Sequence, residues 1–166
     1  MTIDEIGKLS LKFIKFFDLL LKTIIISSMF SILVVTCLQV FCRFILGKAL
    51  PWPEEFARYA MIWASFLAAV YVQLERGHLG IDFFVTKLSY KSATILRILM
   101  NVLIIIFMAA VIASGINESL TLIELKTGAL QISRAIPYLA LPVSSILFIL
   151  VTLVLISKDI MELKQK

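Results

Sequence analysis

Residues 98–117 read ILMNVLIIIFMAAVIASGIN, a run of twenty without a single Asp, Glu, Lys or Arg. A helix crosses a hydrocarbon core of about 30 Å with roughly 20 residues, so this stretch has the length and polarity of a membrane span. Two more runs share its character: Thr23 to Cys42, again twenty residues, and Ala135 to Ser157, twenty-three. A fourth, Tyr59 to Leu74, has sixteen. It reaches spanning length when its first turns, Pro53 to Arg58, sit in the headgroup layer; a short or re-entrant segment is the alternative. The expectation is an all-α membrane protein with four transmembrane helices.

Composition points the same way. Of 166 residues, 61% are apolar and 16% charged, with a mean hydropathy of +1.03. Soluble domains carry about 25% charged residues and roughly 45–50% apolar ones. The net charge of +5 is spread along the connections and forms no dense patch, so it is read as topology and not as nucleic-acid binding. Lys and Arg divide eleven to five between the two sides, counting the arm, the second connection and the tail together. The richer side is expected to be cytoplasmic, with both termini on it. Acids Asp4, Glu5 and Asp18 interrupt the N-terminal basic region, and no cleavage site follows, so the anchor is expected to stay. Cys37 and Cys42 lie five apart in one apolar run, point in different directions on a helix, and read as small apolar fillers.

The expected organisation is one integral membrane domain over residues 1–166. It has an arm at about 3–18 and spans at about 19–42, 54–75, 96–120 and 136–157. In the arm, Lys8, Lys12, Lys15 and Lys22 recur at spacings of four, three and seven, and Ile6, Leu9, Phe13, Phe16 and Leu20 recur at three, four, three and four on another face. That pattern predicts an amphipathic helix lying against anionic lipid. Ile81, Phe84, Val85 and Leu88 repeat it briefly. Gly128 is the first good stop after the third span, so that helix is expected to run from about Lys91 to Lys126, ~54 Å at 1.5 Å per residue.

No span carries an ionisable group at its centre. Proton-coupled carriers need one at membrane depth. His78, the single histidine, lies in a connection, whereas a haem bundle uses two. There is no Cys/His cluster, G-x-S-x-G, H-E-x-x-H or glycine-rich phosphate loop. The sequence argues against an enzyme and against a self-sufficient active transporter, and no cofactor is expected in this chain. The spans do carry close-packing surface. Ala57, Ala60, Ala64 and Ala68 make a small-residue stripe on the second helix, Ala109/Ala113 and Ala110/Ser114 do so on the third, and Ser27/Ser31 on the first. Such stripes let helix backbones approach, either within the chain or against a partner with many helices.

Charges concentrate at the ends of the second helix. In Pro51-Trp52-Pro53-Glu54-Glu55, Pro53 fits the first helical position and both acids sit at the positive end of the helix dipole. Glu54 can pair with Arg58 four residues on, Trp52 is an interfacial anchor, and Arg43 and Lys48 offer counter-charges. At the other end, Glu75-Arg76-Gly77-His78-Leu79-Gly80-Ile81-Asp82 is a tight turn with four ionisable groups. Pro137 suits a helix start, and Pro142 is expected to kink the last helix.

The ordered set Gln39-Val40-Phe41-Cys42-Arg43-Phe44, Pro51 to Tyr59, Arg76 to Asp82 and Ile136-Pro137-Tyr138-Leu139-Ala140-Leu141-Pro142 resembles the small membrane subunit of tripartite ATP-independent periplasmic (TRAP) transporters. Two departures are Ala68 and Ala69, where a glycine is expected, and Glu75, where a second basic residue is common. The resemblance implies a bacterial inner-membrane secondary transporter. A large subunit holds substrate and sodium and moves substrate by an elevator-like shift. A periplasmic binding protein delivers an organic acid, of the C4-dicarboxylate or sialic acid class. The small subunit braces the large one, and Arg43, Trp52, Glu54, Glu55, Arg58, Arg76, His78 and Asp82 fix helix ends and tie into it. The rival readings are an anchor or assembly subunit of another membrane complex, such as a redox enzyme, and a stand-alone carrier or channel.

Overall fold

The computed structural model describes residues 3–75 and 90–165, with side chains of the first helix described from Phe17 onward. The described residues form four helices: α1 (Ile3–Phe44), α2 (Trp52–Leu74), α3 (Tyr90–Thr121) and α4 (Ala135–Gln165). Each is long and apolar enough to cross a membrane, over Phe17–Phe44, Trp52–Leu74, Ser92–Thr121 and Ala135–Met161. The helix of the arm runs into the first span without a break. The Ile81–Leu88 pattern lies outside the described residues.

In space α1 packs on α2, α2 on α4, and α4 on α3, so α2 and α4 form the interior and α1 and α3 the flanks. On α1, Leu21 is buried, and Phe17, Asp18, Ile25, Ser28, Ser31, Ile32, Val35, Gln39 and Cys42 are half-buried. From Leu21 to Cys42 all of these but Ser31 recur at alternating steps of four and three, the spacing of a heptad seam. Leu21 is fully buried and joins Leu67 and Val70 of α2 and Phe148, Val151 and Leu155 of α4 in one core cluster. Lys22 reinforces this junction. It contacts Asp18 at 3.1 Å and lies 5.3 Å from the centre of the Tyr71 ring.

Lipid is as apolar as leucine, so helix association in a bilayer rests on close packing and on hydrogen bonds between helices. Both are present. Gly115 on α3 faces Pro142 on α4, where an added Cβ would lie 2.9 Å from the proline Cδ. Glycine is what lets the two helices meet there. The α4 helix continues through Pro142, which is buried, and the Ser144 hydroxyl bonds the Ala140 and Leu141 carbonyls beside it. At the opposite end of α2, the buried Gln73 amide donates to Thr152 Oγ1 of α4 at 2.9 Å and to Asn101 Oδ1 of α3 at 3.3 Å. Three helices are thereby joined by one side chain.

α3 stops at Thr121, short of the expected Lys126. The reason is a competing set of backbone bonds. Thr127 N–H donates to the Ile132 carbonyl and Arg134 N–H to the Leu125 carbonyl, both at 2.8 Å, folding the α3–α4 connection into a small hairpin. Gln131 takes a left-handed φ of 56° near its tip. The α1–α2 connection closes differently, with Gly47 at φ +65° and Lys48 N–H bonded back to the Cys42 carbonyl.

Candidate functional site

Among the described residues, a dense polar arrangement gathers at the Trp52 end of α2. The helix starts at Trp52, with Pro51 at the cap position and Pro53 inside the first turn, where no intrahelical N–H bond is lost. This start places Glu54 and Glu55 side by side in the first turn, and helical geometry then sends them to opposite fates. Glu54 points outward and pairs with Arg58 at 3.3 Å, both side chains well exposed. Glu55 points inward, only 9% exposed, beneath the α3–α4 hairpin.

There its carboxylate is saturated. Oε2 accepts the backbone N–H groups of Ala129 (2.8 Å) and Leu130 (2.7 Å), and Oε1 accepts the Tyr59 hydroxyl at 2.8 Å. The Thr127 hydroxyl accepts the Ile132 N–H at 3.2 Å and closes the hairpin from within. Peptide N–H groups at such a tip would be costly to leave unpaired away from water. Glu55 acts as a latch between the first turn of α2 and a connection more than seventy residues later. Trp63 adds a second tie, its indole N–H donating to the Ile136 carbonyl at 3.2 Å.

The remaining residues singled out from sequence are scattered. Arg43 is exposed on the last turn of α1, over the Phe44 ring at 5.6 Å, and Trp52 is half-buried. Ala64 is completely buried inside the chain's own bundle, while Ala57, Ala60 and Ala68 are half-buried. Pro137 falls in the first turn of α4. Arg76, His78 and Asp82 lie outside the described residues. Sequence reasoning missed the partner of Glu55, although Thr127-Gly128 between two spans is a turn signal. It also missed Gln73, Asn101 and Thr152, whose amides and hydroxyl within apolar runs are the visible sign of interhelical bonding.

Four helices long and apolar enough to cross a membrane fit a multi-pass membrane protein. Residues 32–161 match the DctQ component of the tripartite ATP-independent periplasmic transporters. The chain belongs to this family. It is also 30% identical, over 135 residues, to the isethionate TRAP transporter permease protein DctMQ of Oleidesulfovibrio alaskensis. The match covers 74% of this chain and 21% of that relative, so the chain spans about a fifth of the relative's length. In this DctQ-family chain, Glu55 ties the first turn of α2 to the α3–α4 hairpin, and Gln73 ties the other end of α2 to α3 and α4.

Proposed function

We propose that this chain is the small permease subunit of a TRAP-type secondary transporter, set in a bacterial inner membrane with both termini cytoplasmic. It braces a large, sodium-coupled elevator subunit that takes up an organic acid, of the C4-dicarboxylate or sialic acid class, delivered by a periplasmic binding protein. The observation that carries this reading is the outward face of α3. Ala109, Ala110, Ala113 and Ser114 are all exposed there, between Phe107 and Ile116. Small residues cost nothing against lipid but permit a partner helix to approach closely. The alanine stripe of α2 is a poorer candidate, because Ala64 is already covered by the chain itself. A relative named as a permease, five times longer than the matched segment, fits a chain that works as one portion of a larger assembly.

The test is reconstitution with the large subunit and the binding protein in liposomes under an inward sodium gradient. Leaving this chain out should abolish uptake, and Ala113→Trp should reduce recovery of the large subunit without changing helix content. Full uptake in its absence, or unaltered recovery with the variant, defeats the proposal.

A further inference from the structure

Beneath the hairpin, between α2 and α4, lies a cleft of about 690 Å³. Its polar lining is Arg58, Tyr59, Arg134 and Tyr138, together with Glu55, Thr127 and Gly128 of the latch; Ile62, Phe66 and Leu141 form its apolar walls. A second cavity of about 300 Å³ shares Phe66 and Leu141 and continues past Ala69 toward Phe107 and Phe148. The two adjoin at these shared side chains. Along α2 the groove lined by both runs from Arg58 to Ala69, eleven residues, or about 16 Å of helix. That is close to half of a ~30 Å hydrocarbon core, the depth of a single leaflet.

Charge is confined to one end of the groove. Glu55 keeps its charge but directs both oxygens to the hairpin and Tyr59, and Glu54 takes up only one of the donors on Arg58. Arg134 uses Nε on the Lys126 carbonyl at 3.2 Å, which leaves its terminal nitrogens for another acceptor. Two guanidinium groups and two tyrosine hydroxyls thus border an apolar channel of leaflet depth. Arginine forks match phosphate geometry. We propose that this groove is a binding site for an anionic phospholipid, with the phosphate held by Arg58 and Arg134 and one acyl chain lying along Ile62, Phe66 and Leu141. Such a lipid would fill the seam between the two interior helices and lie against the Glu55 latch.

The experiment is native mass spectrometry of the full chain, together with any subunit that co-purifies, titrated with phosphatidylglycerol or phosphatidylethanolamine of identical acyl chains. The anionic lipid should bind roughly tenfold more tightly, given two cationic side chains near the surface. Joint Arg58→Gln and Arg134→Gln substitution should erase that preference, whereas Arg58→Lys with Arg134→Lys should keep most of it. Leu141→Trp, which obstructs the channel and leaves the charges alone, should weaken both lipids. Circular dichroism confirms that each variant retains its helices. Equal binding of the two lipids to the unaltered chain overturns the proposal without any variant. So does competition by millimolar inorganic phosphate, which would mark a site for free anions. A photo-crosslinker placed at Phe66 that captures a protein helix instead of lipid would overturn it as well.

Discussion

The two ends of α2 solve one problem by different means. At the Trp52 end, a carboxylate reaches out of the helix and grips backbone N–H groups of a distant connection. At the other end, a carboxamide reaches into the bundle and is held by side chains of two neighbouring helices. The first arrangement serves a region where irregular backbone approaches the interface and its peptide groups need partners. The second serves a region of continuous helix, where backbone groups are already paired and only side chains can join one span to the next. The difference shows where this scaffold is vulnerable. Loss of the carboxylate strands backbone; loss of the amide strands only side chains, one of which, Thr152, has a second partner in its own helix.

Glu55→Ala therefore tests the stronger half of the contrast. It removes the acceptor for Ala129, Leu130 and Tyr59 together, and no other acceptor on α2 replaces it among the described residues. The expected outcome is a hairpin that opens far more often. Cleavage by added protease within residues 122–134 should accelerate by roughly tenfold or more, because local opening governs such attack. Glu55→Gln keeps one acceptor oxygen and should fall between. If Glu55→Ala and the unaltered chain are cut at the same rate, the hairpin is held by its own bonds and the latch is ornamental.

Gln73→Leu probes the weaker half. Bonds between helices within a bilayer average about 0.6 kcal/mol, reaching ~1.7 at most, because unpaired groups find substitutes. Thr152 is a case in point, since its hydroxyl also donates to the Phe148 carbonyl of its own helix at 2.8 Å. A loss of about 1 kcal/mol in SDS-driven unfolding is expected. Protease cleavage in the hairpin should not change. A loss as large as that of Glu55→Ala would mean that the node, and not the latch, organises the bundle.

The helices were legible in sequence because hydrocarbon imposes both length and the exclusion of charge, and three charge-free runs satisfied both. Their ends were harder to read. α3 was expected to continue to Lys126 because propensity sees no stop before Gly128, yet pairing across the hairpin withdraws Leu125 and Thr127 from the helix. Which small residues face inward was equally hidden. Ala64 and Ala113 belong to identical motifs, but one is enclosed by the chain and the other is exposed. That choice depends on the spatial order α1, α2, α4, α3, which no periodicity within a single helix encodes. Gly115 mattered for the same reason: its meaning comes from Pro142 on the facing helix.

Glu54 and Glu55 make the narrowest comparison, two identical side chains one residue apart. A helix turns about 100° per residue, enough to carry Glu54 from the interior to the surface. Among the described residues its ion pair is with Arg58 at 3.3 Å, the Glu54 side chain 71% and the Arg58 side chain 60% exposed. Exposed pairs of this spacing contribute about 0.3–0.5 kcal/mol, and salt screens them. Glu54→Gln should consequently shift unfolding by no more than about 0.5 kcal/mol. Hairpin cleavage should match that of the unaltered chain, and raising salt should erase whatever difference remains. A loss comparable to that of Gln73→Leu would contradict the solvent-screened geometry, and would mean that Glu54 makes its principal contact with a surface outside this chain.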